Sequence, residues 1–410
     1  MIPHALFEAF DVTDTSVPNR TARLLRIAAR WALALTLASL AYVIAASVYR
    51  NYTPRWTTTW PRFDNAQSAG VDATKLEHAM SLTKDAGASA VVVIFRGKLL
   101  AANGRPATIF PCHSVRKSYL SALMGRAVLE GKISLDSTLA EIGIDDVPPL
   151  SAQEKSATVR QLLQARSGVY HDSNAASERM RGTLPARDSV KPGERWVYQN
   201  WDFNALGTIY KNATGTDVFE AFEKQIARPI GMEHFDRTKH CNWITGEASQ
   251  HGAYEFRMSA LDMARFGQLM LQQGAWNGEQ LLPSEWVSES TTPYSTVEDG
   301  KAVMDPASPA GKPAYGYMWW VGTIASALDN PPELEGSYSA EGVGGHLIAI
   351  VPKLDLVIVV RANTWLPAWT PLIPTRVNNT KLVPALREII DAVRPAAIAG
   401  EQSQEEVLKI

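Results

Sequence analysis

The chain has 410 residues, 46% of them hydrophobic, and 40 Lys and Arg against 42 Asp and Glu leave a formal net charge of −2. That is ample apolar material for a sizeable core. A near-neutral balance argues against a nucleic-acid partner held by phosphate neutralisation. The eight His are scattered, with no HExxH and no paired ligand spacing, so no metal site and no cofactor are read. Cys112 and Cys241 carry no CxxC spacing. Pairing in an oxidising compartment stays open, and two separate buried thiols are the expectation.

Residues 1–30 carry Arg20, Arg23, Arg26 and Arg30 ahead of an uncharged run, Trp31 to Tyr49. As a helix that run spans roughly 28 Å, close to the hydrocarbon core of a bilayer. The positive-inside rule puts the first thirty residues in the cytoplasm and the bulk of the chain on the periplasmic side of an inner membrane. A cleavable signal peptide is the rival, and Ala45-Ala46-Ser47 offers small residues for it. The long basic front and long apolar core favour an uncleaved single-pass anchor. Residues 50–64, with Pro54, Thr57 to Thr59 and Pro61, read as a linker. Residues 65–395 then form one domain, and 396–410 read as a loosely held tail.

Within the domain, Leu76 to Ala86 has a helical stripe. Ala90 to Phe95, a turn at Arg96-Gly97-Lys98, and Leu99 to Ala102 read as a hairpin. A helix is expected from Ser114 to Gly131. Loops and helices fill Leu135 to Ile244, and Met258 to Gln273 is helical. Tyr315 to Val321 reads as a strand. Leu347 to Val351 and Leu356 to Val360 make a second hairpin around Pro352 to Asp355, and Lys381 to Val393 has a helical stripe. Strands at both ends around a helical middle predict an α/β (α+β) fold. One antiparallel sheet is built from the N- and C-terminal parts, flanked by helices, with an inserted all-helical region.

Three short stretches carry chemistry. Ser114 and Lys117 lie three apart on the expected helix and share one face, so the amine can reach the hydroxyl. A hydroxyl becomes nucleophilic when a base takes its proton, and Lys is that base only where burial or another cation keeps it neutral. Alone, Ser-x-x-Lys is usually surface. Tyr198 and Asn200 follow a Pro192-Gly193 turn and point the same way if the backbone is extended. The Tyr can shuttle a proton and the Asn can orient a carbonyl; the blander alternative is a packed ring and a helix cap. Gly342-Val343-Gly344-Gly345 precedes His346 at the edge of a strand, where bare backbone admits a substrate and offers N–H donors. His346 is a candidate for the pocket lining. His113 abuts Ser114 but is expected to face elsewhere.

In this order the three stretches resemble the serine β-lactamase and penicillin-binding-protein superfamily. Tyr-x-Asn points to the branch with class C β-lactamases, D-aminopeptidases, family VIII carboxylesterases and 6-aminohexanoate-dimer hydrolases. Thr158 to Tyr170, Met258 to Trp276 and Tyr315 to Val321 also look like the family, so the resemblance spans roughly Asp64 to Val393. It implies a β-lactamase-like fold. It also implies Ser114, Lys117, Tyr198 and Asn200 as catalytic residues, backbone N–H groups of Ser114 and Val343 as the oxyanion hole, and Gly342, Gly344, Gly345 and His346 against substrate. One departure stands out. No Lys-Thr-Gly or His-Thr-Gly precedes the third stretch, which reads Tyr338-Ser339-Ala340-Glu341-Gly342. The cation that would receive a penicillin carboxylate is missing.

The expected activity is metal-free cleavage of a small-molecule ester or amide through a Ser114 acyl-enzyme. A peptidoglycan-directed peptidase or β-lactamase of the same superfamily is the alternative. A catalytically inactive, membrane-tethered binding protein is the reading from another class.

Overall fold

The computed structural model describes residues 20–51, 54–296, 314–365 and 374–407. The chain divides into two compact units, one holding the N-terminal helix and the other nearly everything from residue 53 onward. The first helix runs Arg20–Asn51, and within it Leu24–Val48 has 25 residues of mean hydropathy 1.9. By length and composition it is able to cross a membrane, a property that a signal sequence shares.

The second unit is organised by one eight-stranded antiparallel sheet. Its spatial order is Lys98–Gly104, Ala90–Phe95, Leu356–Arg361, His346–Val351, Tyr338–Gly342, Trp320–Val321, Ala314–Tyr315, Ser295–Thr296. N- and C-terminal strands meet at its centre, where Ala90 pairs with Arg361 and Phe95 with Leu356. This is the predicted architecture. The three central strands, AVVVIF, HLIAIV and LVIVVR, are buried at every position. Their unbroken apolar character marks strands covered on both faces. On one face, Val91, Val93, Ile358 and Val360 pack with Leu76, Leu386 and Ile389 of the helices Ala73–Asp85 and Asn379–Val407. On the other, Val92, Ile94, Ile348 and Val359 pack with Phe266 and Leu269 of the helix Ala260–Leu271. Each such side chain contributes about 1.5–3 kcal/mol when fully buried.

Several boundaries differ from expectation for local reasons. Ser114 lies in a 3₁₀ turn, His113–Val115, and the α-helix begins at Arg116 and ends at Leu129. Tyr315 to Val321 is two two-residue strands joined by a bend, with Tyr315 opposite Trp320. The bend exists because its backbone bonds elsewhere: Tyr317 N–H donates to Ser290 O (2.8 Å) and Met318 N–H to Leu163 O (3.1 Å). Ser259 caps Asp262 N–H at 3.0 Å and so starts its helix after Met258. The last helix passes Pro395 and runs to Val407, with Ala396 and Ala397 buried. A small sheet, Phe110–Pro111, Ser249–Met258 and Cys241–Gly246, was not anticipated. Its strand Cys241–Gly246 is half-exposed with no alternation to read. Cys112 N–H bonds to Phe256 O while Cys241 pairs with Phe256 from the other side. Two strand spacings, roughly 10 Å, separate their Cα atoms. That is beyond disulfide reach, and both are free.

The Ser114 helix is seated against the helix Ser284–Ser290 through a glycine. A Cβ on Gly125 would stand 2.2 Å from Trp286 Cγ, and Trp286 Nε1 donates to Ser121 O at 2.8 Å. Gly125→Ala is therefore expected to destabilise the fold by roughly 1–3 kcal/mol in urea unfolding, despite the better helix propensity of Ala. Gly182→Ala, where the new methyl meets nothing within 4 Å, should change stability by about 0.5 kcal/mol or less.

Candidate active site

Ser114 sits where the small sheet, the first buried helix and the hairpin Tyr338–Val351 converge. The turn beneath it is held in an unusual conformation. His113 has φ of +49°, a left-handed geometry that costs a non-glycine residue about 1–3 kcal/mol. Two contacts fix it: its N–H donates to Glu255 Oε1 at 3.0 Å, and its Nε2 lies 2.8 Å from Thr364 Oγ1. Below, Arg361 is fully buried and donates to Phe110 O (2.7 Å) and Pro111 O (2.8 Å), fixing the approach to the turn.

The Ser-Lys pair is formed. Lys117 is buried, and its Nζ lies 2.7 Å from Ser114 Oγ. Burial, then the neighbouring Arg116 cation, drive its pKa well below the usual lysine value, with Glu255 opposing. The amine therefore favours the neutral state a base needs. Nζ also stands 5.0 Å from the Tyr198 ring centroid and 5.1 Å from that of Phe203. Burial pushes the Tyr198 pKa up to about 12, with the Ser114 hydroxyl opposing. Its ring stacks on Trp320 at 5.4 Å and meets Tyr315 edge-on at 5.9 Å, so the Tyr315–Val321 stretch forms the wall that positions the phenol.

Asn200 opens the helix Asn200–Thr214, and the side chain that caps that helix is Gln199, bonded to Trp201 N–H. Asn200 Nδ2 donates to Ala175 O at 2.8 Å, and its Oδ1 is buried without a protein partner. Arg116, which the sequence reading passed over, is buried over the Tyr254 ring at 4.4 Å. Its Nη2 donates to Asn204 Oδ1 (3.1 Å), and its Nη1 also lacks a partner.

The third stretch closes on the first. A Cβ on Gly342 would stand 2.7 Å from Cys112 O, so only glycine lets this strand lie against the Ser114 turn. Gly344 and Gly345 have φ of +94° and +86° and make the tight return to His346. Val343 is exposed at the tip, with 58% of its surface open. His346 is a correction in position: it is 1% exposed and lies behind the site. Its ring sits 5.3 Å from that of His113. Its Nδ1 accepts from Ala362 N–H, so its Nε2 faces Thr364 Oγ1 as the donor. Burial holds both imidazoles neutral, His346 well below its usual value and His113 down at about 4. The His113 ring makes its hydrogen bond with Thr364.

The sequence profile of the Beta-lactamase family matches residues 63–375. The chain belongs to the Beta-lactamase family. Membership places it in a superfamily of serine hydrolases. An uncharacterized protein of Alkalihalophilus pseudofirmus is 25% identical over 276 residues, covering 63% of this chain and 74% of that one. A penicillin-binding-protein homologue from Pyrococcus abyssi superposes with a TM-score of 0.55 at 21% identity, over 78% of each chain. A class C β-lactamase solved with cefoxitin gives 0.56 at 17% identity, over 78% of this chain and 99% of that one. At such identities the solved structures share the fold.

Residues around Lys117 make its protonation testable. The charged groups acting on it are Arg116 on its own helix and Glu255 on the strand Ser249–Met258; Ser114, Tyr198 and Phe203 complete its surroundings. Arg116→Gln removes a cation, raises the Lys117 pKa and should move the acidic limb of kcat/KM to higher pH. Glu255→Gln removes the opposing charge and should move that limb to lower pH. A pH–rate profile of each variant checks both signs; limbs that stay in place would remove Lys117 from the acid–base role.

Proposed function

We propose that this protein hydrolyses an ester or amide bond by acyl transfer through Ser114. The observation that carries the reading is the 2.7 Å contact between Ser114 Oγ and a buried Lys117, whose pKa is lowered by burial and by Arg116. Ser114 Oγ attacks the carbonyl carbon, and its proton passes to the Lys117–Tyr198 pair. With the phenol pushed up and the amine pushed down, the resting base is the amine and the resting phenol keeps its proton. The pair titrates as a unit. Backbone N–H groups of Ser114 and Val343 receive the oxyanion. The leaving group departs with a proton delivered by Tyr198, and Asn200 orients the substrate. Water then attacks the acyl-enzyme, with the proton traffic reversed.

The missing Lys-Thr-Gly cation weighs against the peptidase or β-lactamase alternative. Ala340 stands at the position before Glu341 and Gly342 and offers only a methyl group. The intact Ser114–Lys117–Tyr198 set weighs against an inactive binding protein. In the same reading the helix holding Leu24–Val48 is an uncleaved anchor in the inner membrane, residues 1–30 are cytoplasmic and the hydrolase domain works in the periplasm; the linker expected over 50–64 is shorter, because Trp60 is buried in the core and Thr59, Pro61 and Phe63 bond to Glu233 and Leu99. The basic residues ahead of the span support that orientation.

Ser114→Ala should abolish both fluorophosphonate labelling and turnover, and wild-type hydrolysis in that variant would refute the mechanism. Short p-nitrophenyl esters should turn over readily, and penicillins and cephalosporins poorly. A nitrocefin kcat/KM equal to that of the best ester would reverse this order. The full-length protein should need detergent for extraction, whereas a chain beginning at Pro54, which keeps the buried Trp60 and the Thr58 and Thr59 contacts to Glu233, should be soluble and active. A mature form starting near Ser47 and free in the periplasm would favour a cleaved signal instead.

A further inference from the structure

Glu341 is a carboxylic acid on the strand that closes the site, and nothing in the proposed mechanism uses it. Its neighbour Gly342 abuts the Ser114 turn, so Glu341 is one residue from that contact. Its side belongs to Tyr198. Trp320 stacks on the Tyr198 ring, Trp320 pairs with Ser339 across the ladder, and residues two apart on a strand share a face. Ser339 Oγ donates to Glu341 Oε1 at 2.9 Å and lies 2.8 Å from Thr323 Oγ1. Glu341 is half-buried, and among the described residues no Lys, Arg or His pairs with it. A carboxyl in such a place is costly to ionise unless a cation joins it.

We infer that Glu341 receives a cationic group of the substrate, so that the site selects esters or amides bearing a protonated amine and disfavours those bearing a carboxylate. The inference rests on the Ser114 acyl-transfer reading and assigns the substrate's charge. Two observations support it together. Glu341 supplies an acceptor held in place by a Ser339–Thr323 hydroxyl pair. The strand supplies no cation for an anionic substrate, since Ser339, Ala340 and Glu341 lead directly to Gly342. Burial raises the Glu341 pKa, and its charge is felt at the Tyr198 and Tyr315 phenols. An incoming ammonium therefore favours the ionised carboxylate and gains a charge-assisted hydrogen bond with it in a half-buried setting.

The test separates charge selection from catalysis. In the full-length protein carrying Ser114→Ala, calorimetry in detergent compares n-butylammonium, n-butanol and butanoate. The ammonium should bind about tenfold or more tighter than the alcohol, and butanoate weakest. Glu341→Gln on that background should bring ammonium and alcohol together, and Glu341→Lys should favour butanoate. Equal binding of ammonium and alcohol to the Ser114→Ala protein, or a preference that survives Glu341→Gln, would overturn the inference. With Ser114 intact, the kcat/KM ratio of the p-nitrophenyl ester of β-alanine to that of propanoic acid should fall by about tenfold in Glu341→Gln. Because the binding arm needs no turnover, loss of all hydrolysis would count against the acyl-transfer reading and leave the charge assignment to the calorimetry.

Discussion

A buried lysine with a lowered pKa, in contact with Ser114, is the feature around which the site is arranged. The proposed acyl transfer needs an amine that is not a solvated ammonium; Lys117 is enclosed, and the enclosure reaches far into the fold. Its walls are the rings of Tyr198 and Phe203. Behind Tyr198 stand Trp320 and Tyr315. Those two residues are placed by the short strands at the far end of the sheet. The Arg116 cation adds repulsion to desolvation, and Glu255 subtracts from it. Glu255 has a second duty, since the same carboxylate fixes the strained His113 backbone. One strand, Ser249–Met258, thereby couples the electrostatics of Lys117 to the geometry of the Ser114 turn.

The second constraint is closeness. The proposed oxyanion site, made of backbone, needs two segments of chain nearly in contact, and side chains would prevent that. Gly342 removes the obstacle on one segment, where a methyl group would strike Cys112 O. The other segment is pulled into place by Arg361, whose guanidinium gathers the Phe110 and Pro111 carbonyls. Arg361 ends the last central strand, and its partner across the ladder is Ala90 at the start of the first. The sheet therefore serves as more than a scaffold for packing: its central register sets the distance between the Ser114 turn and the glycine strand.

Much of this was legible in the sequence, and the limits have physical causes. Strands covered on both faces announce themselves by unbroken apolar runs, so AVVVIF and LVIVVR were read almost to the residue. The Ser114–Lys117 contact followed from helical spacing, although the turn that bears Ser114 proved to be 3₁₀. Arg116 was visible in Ser114-Val115-Arg116-Lys117, and the need for a neighbouring cation could have singled it out. Glu255 was not findable in the same way. It matters through a strand whose pairing partners lie at positions 110 and 241, and no local pattern reports such contacts. His346 was misplaced toward the pocket because its position after the glycines says nothing about which side of the hairpin is buried. The end of the last helix was missed because proline usually stops a helix, whereas here tertiary packing of Ala396 and Ala397 carries it onward.

The two neutral histidines show how the fold protects this arrangement from charge. Arg361 already places one unneutralised cation under the turn, and a protonated His113 or His346 would add another in a low-dielectric interior. Thr364 resolves the problem by satisfying both rings without charge. His346 Nδ1 accepts from Ala362 N–H, its Nε2–H then donates to Thr364 Oγ1, and the threonine O–H is left to donate to His113 Nε2. Each donor in that chain has one acceptor, so the relay fixes both tautomers and the direction of every bond in it. Protonating either ring would break the chain and place like charges beside Arg361. The His113 N–H bond to Glu255 holds the backbone whatever the ring's charge, while the side-chain relay through Thr364 keeps its direction only while the imidazoles stay neutral, which ties the ring contacts beneath the Ser114 turn to that charge state.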